Sequence, residues 1–166
     1  IEFIAPNREL KDDTSILSIY CRDPRESLIF TGPPFHNEKD SFYAKTFMDF
    51  NGKKAISGGT TANIISRELN IPVIADMSTN RGKLPGLLKM EGIDLVTEGI
   101  LTLTKTLEYL QSGQYEDDAA KTLMNFLLDS DVINFLVGAQ MNKAHYDPNL
   151  PVEIEIRKNI IKQIAH

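Results

Sequence analysis

The chain has 166 residues, of which 42% are hydrophobic and 25% are charged, and its formal net charge is −5. This length and composition predict an ordinary globular chain of one domain, or of one domain with a piece of another. The acidic balance argues against a nucleic-acid surface, which needs clustered Lys and Arg, and no apolar run approaches the roughly 18 residues that span a bilayer.

The first predicted element is a strand over residues 14–21, "TSILSIYC". Leu17, Ile19 and Cys21 alternate on one face, which is the period of a strand, and the opposite face is also apolar. Cys21 is the single cysteine, so there is no disulfide framework, and a reducing, cytoplasmic setting is expected. Residues 23–37 contain a turn and the break Gly32-Pro33-Pro34, which together predict a linker or hinge.

Strands and helices alternate in the rest of the chain. "NEKDSFYAKTFMDF" predicts a helix capped by Asn37, because an Asn before acidic first-turn residues is typical of a helix start. "KAIS", "IPVIA" and "GIDLVT" predict short strands, and "DVINFLVGA" a buried central strand. Three further helices are predicted over "EGILTLTKTLEYL", "YEDDAAKTLMNFLL" and the tail "IEIRKNIIKQIAH". The order indicates a three-layer, Rossmann-like α/β domain over residues 38–166 with a largely parallel sheet.

The stretch Gly58-Gly59-Thr60-Thr61 follows a predicted strand and opens a helix. Glycines let backbone N–H groups approach an anion, and the helix start adds about half a positive charge. Arg81 and Lys83, in the loop 78–86, are candidates for additional positive charge. Two interpretations stay open, an anion-binding turn and a plain strand-to-helix connection, since glycine before an N-terminal threonine builds many such turns.

Two other stretches lie where α/β folds place ligands, just after the carboxyl end of a strand. Thr97, Glu98 and Gly99 follow one strand, and Asn142 lies shortly after another; these residues are predicted to line a pocket beside the glycine turn. The three histidines have no ligand partners at zinc-binding spacing, so a zinc site is not predicted.

Asp12 and Asp13 precede the first predicted strand. The pattern Asp-Asp-X-Thr or Asp-Asp-X-Ser, leading directly into a hydrophobic strand, resembles the end of the type 2C, metal-dependent protein phosphatase domain, in the bacterial branch typified by stage II sporulation protein E. The resemblance implies that Asp12 binds a catalytic Mn²⁺ or Mg²⁺ and that residues 1–22 end a phosphatase β-sandwich. Ser15 replaces the usual Thr.

The resemblance extends along the chain through "TGPP", "GGTT", "EGIDLVTEGILTL" and "NFLVG", which are similar to a C-terminal extension in this branch. It implies a protein serine/threonine phosphatase that acts on a phosphoprotein partner. The chain lacks an initiator Met and its helical pattern still runs at the C-terminus, so a piece of a longer protein is expected. The other metal-binding Asp residues would precede Ile1, so the chain alone is expected to be inactive.

The turn "GGTTANIISREL" is also similar to the sugar-phosphate-binding turn of DeoR-type repressor effector domains and ribose-5-phosphate isomerases. This more distant resemblance implies a small anionic ligand. Three functions therefore stay open for residues 38–166: a regulatory, ligand-binding extension of a phosphatase, a sugar-phosphate sensor or enzyme, and a pure protein-interaction module.

Overall fold

A computed structural model of the chain describes Ser15 and residues 17–79, 84–138 and 151–165. These residues form a six-stranded sheet with helices on both faces. The strands are β1 (Glu26–Thr31), β2 (Lys53–Ser57), β3 (Ile74–Ala75), β4 (Leu88–Lys89), β5 (Leu95–Thr97) and β6 (Val132–Val137). The helices are α1 (Asp40–Met48), α2 (Gly59–Leu69), α3 (Ile100–Ser112), α4 (Ala119–Leu128) and α5 (Pro151–Ile164).

The sheet has the strand order β3-β4-β5-β2-β1-β6. β5, β2, β1 and β6 are parallel, whereas β4 is antiparallel to both β5 and β3. The carboxyl ends of the four parallel strands therefore meet at one edge of the sheet. Because β4 runs the other way, the described residues that follow β3 and precede β4, 76–79 and 84–87, adjoin this same edge.

Alternate residues of the strands pack into two hydrophobic cores, one on each face of the sheet. Phe30 of β1 and Ile56 of β2 pack with Phe47 and Ile65 of α1 and α2 on one face. Their neighbours Ile29 and Ala55 point to the other face, against residues of α3, α4 and α5 such as Leu103, Leu123 and Ile160. Successive side chains of a strand point to opposite faces, so this division confirms the predicted three-layer α/β fold with a mostly parallel sheet.

The predicted linker over residues 23–37 is wrong in part. β1 lies inside that range, pairs with both β2 and β6, and has five consecutive buried residues. The Gly32-Pro33-Pro34 break does exist, but it follows the end of β1 and does not separate β1 from the sheet. The α/β domain therefore includes residues from Glu26 onward.

The predicted central strand over "DVINFLVGA" is also corrected. β6 pairs with β1 alone among the described strands and is an edge of the sheet. Its apolar run fits a strand whose two faces are both half-buried. A strand can be covered on both faces and still lack a neighbouring strand on one side.

The predicted strand over residues 14–21 is not seen. Residues 17–21 carry no secondary structure, and Leu17, Ile19 and Tyr20 are each more than three-quarters exposed. A strand needs a neighbour to accept and donate its backbone hydrogen bonds, and the described residues provide none. The expectation that this segment stays outside the α/β sheet holds for residues 17–21.

The helices of the prediction are all present, with small changes at their ends. The first begins with a 3-10 turn over Asn37–Lys39 before α1, so Asn37 lies inside the turn, and the residue before it, His36, makes no capping hydrogen bond with its side chain. α4 is capped by Asp118, whose carboxylate accepts a hydrogen bond from the Lys121 N–H. α2 and α3 end at left-handed residues, Asn70 and Gly113, as helices commonly do.

Candidate functional site

The helices that follow the neighbouring strands β2 and β5 lie on opposite faces of the sheet. α2 follows β2 and packs in the core with Phe47, whereas α3 follows β5 and packs in the core with Ile29. Parallel strands that diverge in this way leave a crevice beyond their carboxyl ends, and α/β proteins bind ligands there. We call this place the β2–β5 crevice; it is formed by residues 58–61 and 97–99.

Gly58 shapes the first wall of the crevice. Its backbone has φ 136° and ψ 124°, a conformation that only glycine adopts readily. Its N–H donates to the Thr97 carbonyl over 2.9 Å, which joins the turn to β5, and its carbonyl accepts the first bond of α2, from Ala62. As the N-cap residue, Gly58 has no side chain that could cap the helix. The N–H groups of residues 59–61 have no acceptor among the described residues, so they are the unpaired donors of a helix start.

Thr61 places a hydroxyl at the same point. Its side chain is buried, and Oγ1 has no hydrogen-bond partner among the described residues. A helical threonine often donates to the carbonyl four residues earlier, but that carbonyl, of Ser57, already accepts from Thr31 Oγ1 over 2.8 Å. Thr61 Oγ1 turns toward the helix start, 3.4 Å from where a Cβ of Gly58 would lie. A buried polar group without a partner calls for an explanation.

Glu98 forms the opposite wall. Its backbone carbonyl accepts from the hydroxyls of Ser57 (3.2 Å) and Thr97 (3.0 Å), which fixes the turn after β5. Its carboxylate reaches across to α2, where Oε2 lies 3.5 Å from the position of a Cβ on Gly59. Neither carboxylate oxygen has a hydrogen-bond or ion-pair partner among the described residues. The crevice thus places an available acceptor beside available donors.

The start of α3 adjoins the start of α2. Gly99 is the N-cap residue of α3 and has no side chain that could cap it, and a Cβ on Gly99 would lie 3.7 Å from the Gly58 Cα. Two helix starts, each equivalent to about half a positive charge, therefore open into one crevice. Thr102 occupies the same place in α3 as Thr61 does in α2, and its Oγ1 is likewise buried and without a partner in the described chain.

The structure thus brings Gly58, Gly59, Thr60 and Thr61 together with Glu98 and Gly99. Thr97 differs from its predicted role, because its side chain is fully buried and donates to the Glu98 carbonyl; it shapes the turn and does not line a pocket. Thr102 was missed, although Gly99-x-x-Thr102 repeats the spacing of Gly58-x-x-Thr61. The remaining predicted site residues lie outside the described residues: Asp12, Arg81, Lys83 and Asn142.

A second junction lies between the carboxyl ends of β1 and β6. A Cβ on Gly138 would lie 2.2 Å from the carbonyl oxygens of Gly32 and Pro33, so glycine is required there by close backbone contact. The neighbouring cavity of about 140 Å³ has a mainly apolar lining: Phe30, Pro34, Phe35, Tyr43, Leu136, Val137 and Gly138. This lining offers few polar groups to orient a ligand.

Another cavity, of about 210 Å³, lies at the start of α4 and is lined by Ser78, Thr79, Leu87, Asp117, Asp118, Ala119 and Thr122. Its central acid is already engaged. The Asp118 carboxylate caps α4 and accepts from the Tyr109 hydroxyl over 2.8 Å. Burial, together with this hydrogen bond to Asp118, raises the pKa of Tyr109, so the hydroxyl keeps its proton at neutral pH. These bonds hold α3 and α4 together.

Within residues 17–79, 84–138 and 151–165, no three His, Cys, Asp or Glu side chains gather in a way that could hold a metal ion. None of the helices in this described part is long and apolar enough to cross a membrane.

Comparisons with protein-family models, curated proteins and solved structures gave no match.

Proposed function

We propose that this chain is the C-terminal, ligand-binding and regulatory portion of a cytoplasmic, metal-dependent protein serine/threonine phosphatase of the sporulation-E type. The β2–β5 crevice binds a small phosphorylated ligand, of which sugar phosphates are the first class to test. The observation that carries the ligand-binding proposal is the start of α2, where the N–H groups of residues 59–61 and the buried Thr61 hydroxyl have no hydrogen-bond partner among the described residues.

The physical basis of binding is the number of donors that one anion can satisfy. A phosphate group has several acceptor oxygens, and hydrogen bonds to charged groups contribute roughly 1.5–3 kcal/mol each before the anion is desolvated. The helix starts of α2 and α3 add favourable charge. This arrangement supports modest affinity without a cationic side chain, and Arg81 and Lys83 are proposed to strengthen it.

Calorimetric titration of the chain with ribose 5-phosphate tests ligand binding. Gly59→Val should abolish the heat of binding, because its side chain would occupy the approach to the N–H groups, whereas Thr61→Ala should weaken binding less. Asn63→Val is the matched control, since Asn63 is exposed on the same helix beyond its first turn. Equal binding by the Gly59→Val variant, or no binding by the unmodified chain, would contradict the proposal and favour a protein-interaction module.

The phosphatase assignment rests on the resemblance at Asp12 and along the extension. The chain alone should not hydrolyse a phosphoester with Mn²⁺, because Asp12 would be one ligand of a site that needs several. In the longer protein, Asp12→Ala should weaken Mn²⁺ binding and remove most turnover on a phosphoserine peptide. Unchanged turnover would remove Asp12 from the metal site.

A further inference from the structure

We infer that Glu98 makes the β2–β5 crevice selective for a phosphate that carries or adjoins an O–H donor, so that phosphate is accepted and sulfate is rejected. The inference rests on the proposed function, because it concerns the same crevice and presumes that an anion binds there. It assigns Glu98 as the specificity-determining residue of the site.

The geometry places an acceptor within reach of an anion that is held at α2. The two carboxylate oxygens of Glu98 lie 3.5 and 3.7 Å from the position of a Cβ on Gly59, the first residue of α2. The Glu98 backbone is fixed by the hydroxyls of Ser57 and Thr97, both of which are buried. The hydrogen-bonded turn after β5 therefore places the Glu98 carboxylate beside the N–H groups at the start of α2.

This placement imposes a chemical requirement on the ligand. An ionised carboxylate only accepts hydrogen bonds, so it repels an anion that presents oxygens without protons. Hydrogen phosphate has a P–O–H group at neutral pH, and a polyol phosphate has C–O–H groups beside its phosphate. Either can donate to Glu98 while its other oxygens accept from the N–H groups of residues 59–61 and from Thr61. Sulfate has similar size and charge but no proton to donate.

Selectivity of this kind is large when it depends on a hydrogen bond that an analogue cannot make. A site that is built to bond a substrate hydroxyl discriminates strongly against the analogue without it, because the group of the site is then left unpaired. In the alternative role, the negative charge of Glu98 itself occupies the start of α2 and competes with every anion. That role predicts no selectivity between phosphate and sulfate.

The experiment is competition calorimetry at neutral pH with sodium phosphate, sodium sulfate and glycerol phosphate, on the unmodified chain and on the Glu98→Gln variant. Gln has the size of Glu and its amide can donate as well as accept. The unmodified chain should bind phosphate or glycerol phosphate at least about tenfold more tightly than sulfate. Which of the two binds more tightly identifies the source of the O–H group. In Glu98→Gln the ratio should fall to within about twofold, mainly because sulfate now binds. Circular dichroism and thermal unfolding confirm that the variant is folded.

Equal affinity of the unmodified chain for phosphate and sulfate would overturn the inference. So would a Glu98→Gln variant in which all three ligands gain affinity equally, since Glu98 would then be a general competitor. In both cases anions still bind, and the proposed function stands. If none of the three ligands binds to either form of the chain, the proposed function fails and the selectivity fails with it.

Discussion

At the residue scale, the two glycines of the turn have different roles. Gly58 has a positive φ of 136° and its N–H is bonded to β5, so its role is conformational. Gly59 has no such φ, and a Cβ there would make ordinary contacts with Glu98, so its role is to leave the approach to the helix start open. One residue therefore sets the geometry, and the other keeps the donors accessible.

This difference predicts opposite stability effects of the same substitution. Gly58→Ala should lower the free energy of unfolding by about 1–3 kcal/mol, because alanine would be held in a sparsely populated backbone conformation. Gly59→Ala should be neutral or slightly stabilising, since alanine suits a helix better than glycine does. Urea unfolding of the two variants measures the comparison. Equal losses in the free energy of unfolding would show that a side chain at position 58 does not strain the backbone.

The sequence predicts the residues of the turn but not what they face. A glycine pair before two threonines indicates a helix start from local propensity alone. The contact of Glu98 with Gly59 joins residues that are 39 positions apart in the sequence, and it depends on β2 and β5 being neighbours. The burial of Thr97 likewise follows from the packing of strands, which a local pattern does not specify.

At the element scale, the amino ends of β1, β2 and β6 are joined by a charged cluster of Arg22, Arg25, Lys53, Asp129 and Asp131. Asp131 accepts from the Arg25 N–H over 2.7 Å and from the Arg22 guanidinium, and Asp129 accepts from Arg25 and Lys53, each over 2.6 Å. The hydrogen bonds from Arg22 hold the pKa of Asp131 well below its usual range, and the hydrogen bond from Lys53 lowers the pKa of Asp129. The cluster fixes the chain where it enters the sheet.

Stability should therefore decrease in acid. A carboxylate whose folded pKa is lowered stabilises the protein above its unfolded pKa of about 3.9, and the stabilisation is lost as the pH falls toward the folded pKa. Asp131→Asn should lower the Tm at neutral pH and reduce the further loss of Tm on acidification below about pH 4. Thermal unfolding across this range measures it, with the exposed Asp49→Asn as the control. A Tm difference that persists unchanged into acid would exclude the ionised form of Asp131 as the cause.

Elements with a strong period were predictable, and those defined by pairing were not. α3 and α4 have apolar residues such as Leu103, Leu107 and Leu123 at spacings of three and four, which specify a helix face locally. β4 has two residues and no period to detect. The residues of β1 resemble a linker in sequence because Gly32-Pro33-Pro34 follows them directly. An apolar run such as that of β6 does not indicate whether its strand is central or at an edge.

At the scale of the whole molecule, the charged cluster and the β2–β5 crevice lie at opposite ends of the parallel strands. Arg22 and Arg25 bind at the amino ends of β1 and β6, whereas Gly58 and Gly99 follow the carboxyl ends of β2 and β5. A six-residue strand such as β1 spans about 20 Å. The charged cluster therefore does not line the crevice, and ligand binding can be tested separately from whatever precedes the sheet.

A phosphorylated ligand is proposed to bind where α2 begins. The most direct measurement is a titration of the isotopically labelled chain with inorganic phosphate, followed by the chemical shifts of its backbone amides. We expect saturable shifts that are largest for the N–H groups of residues 59–61 and of the residues after Gly99, and that disappear in the Gly59→Val variant. Shifts that do not saturate, or that are centred on α4 or β6 instead, would contradict ligand binding at the start of α2.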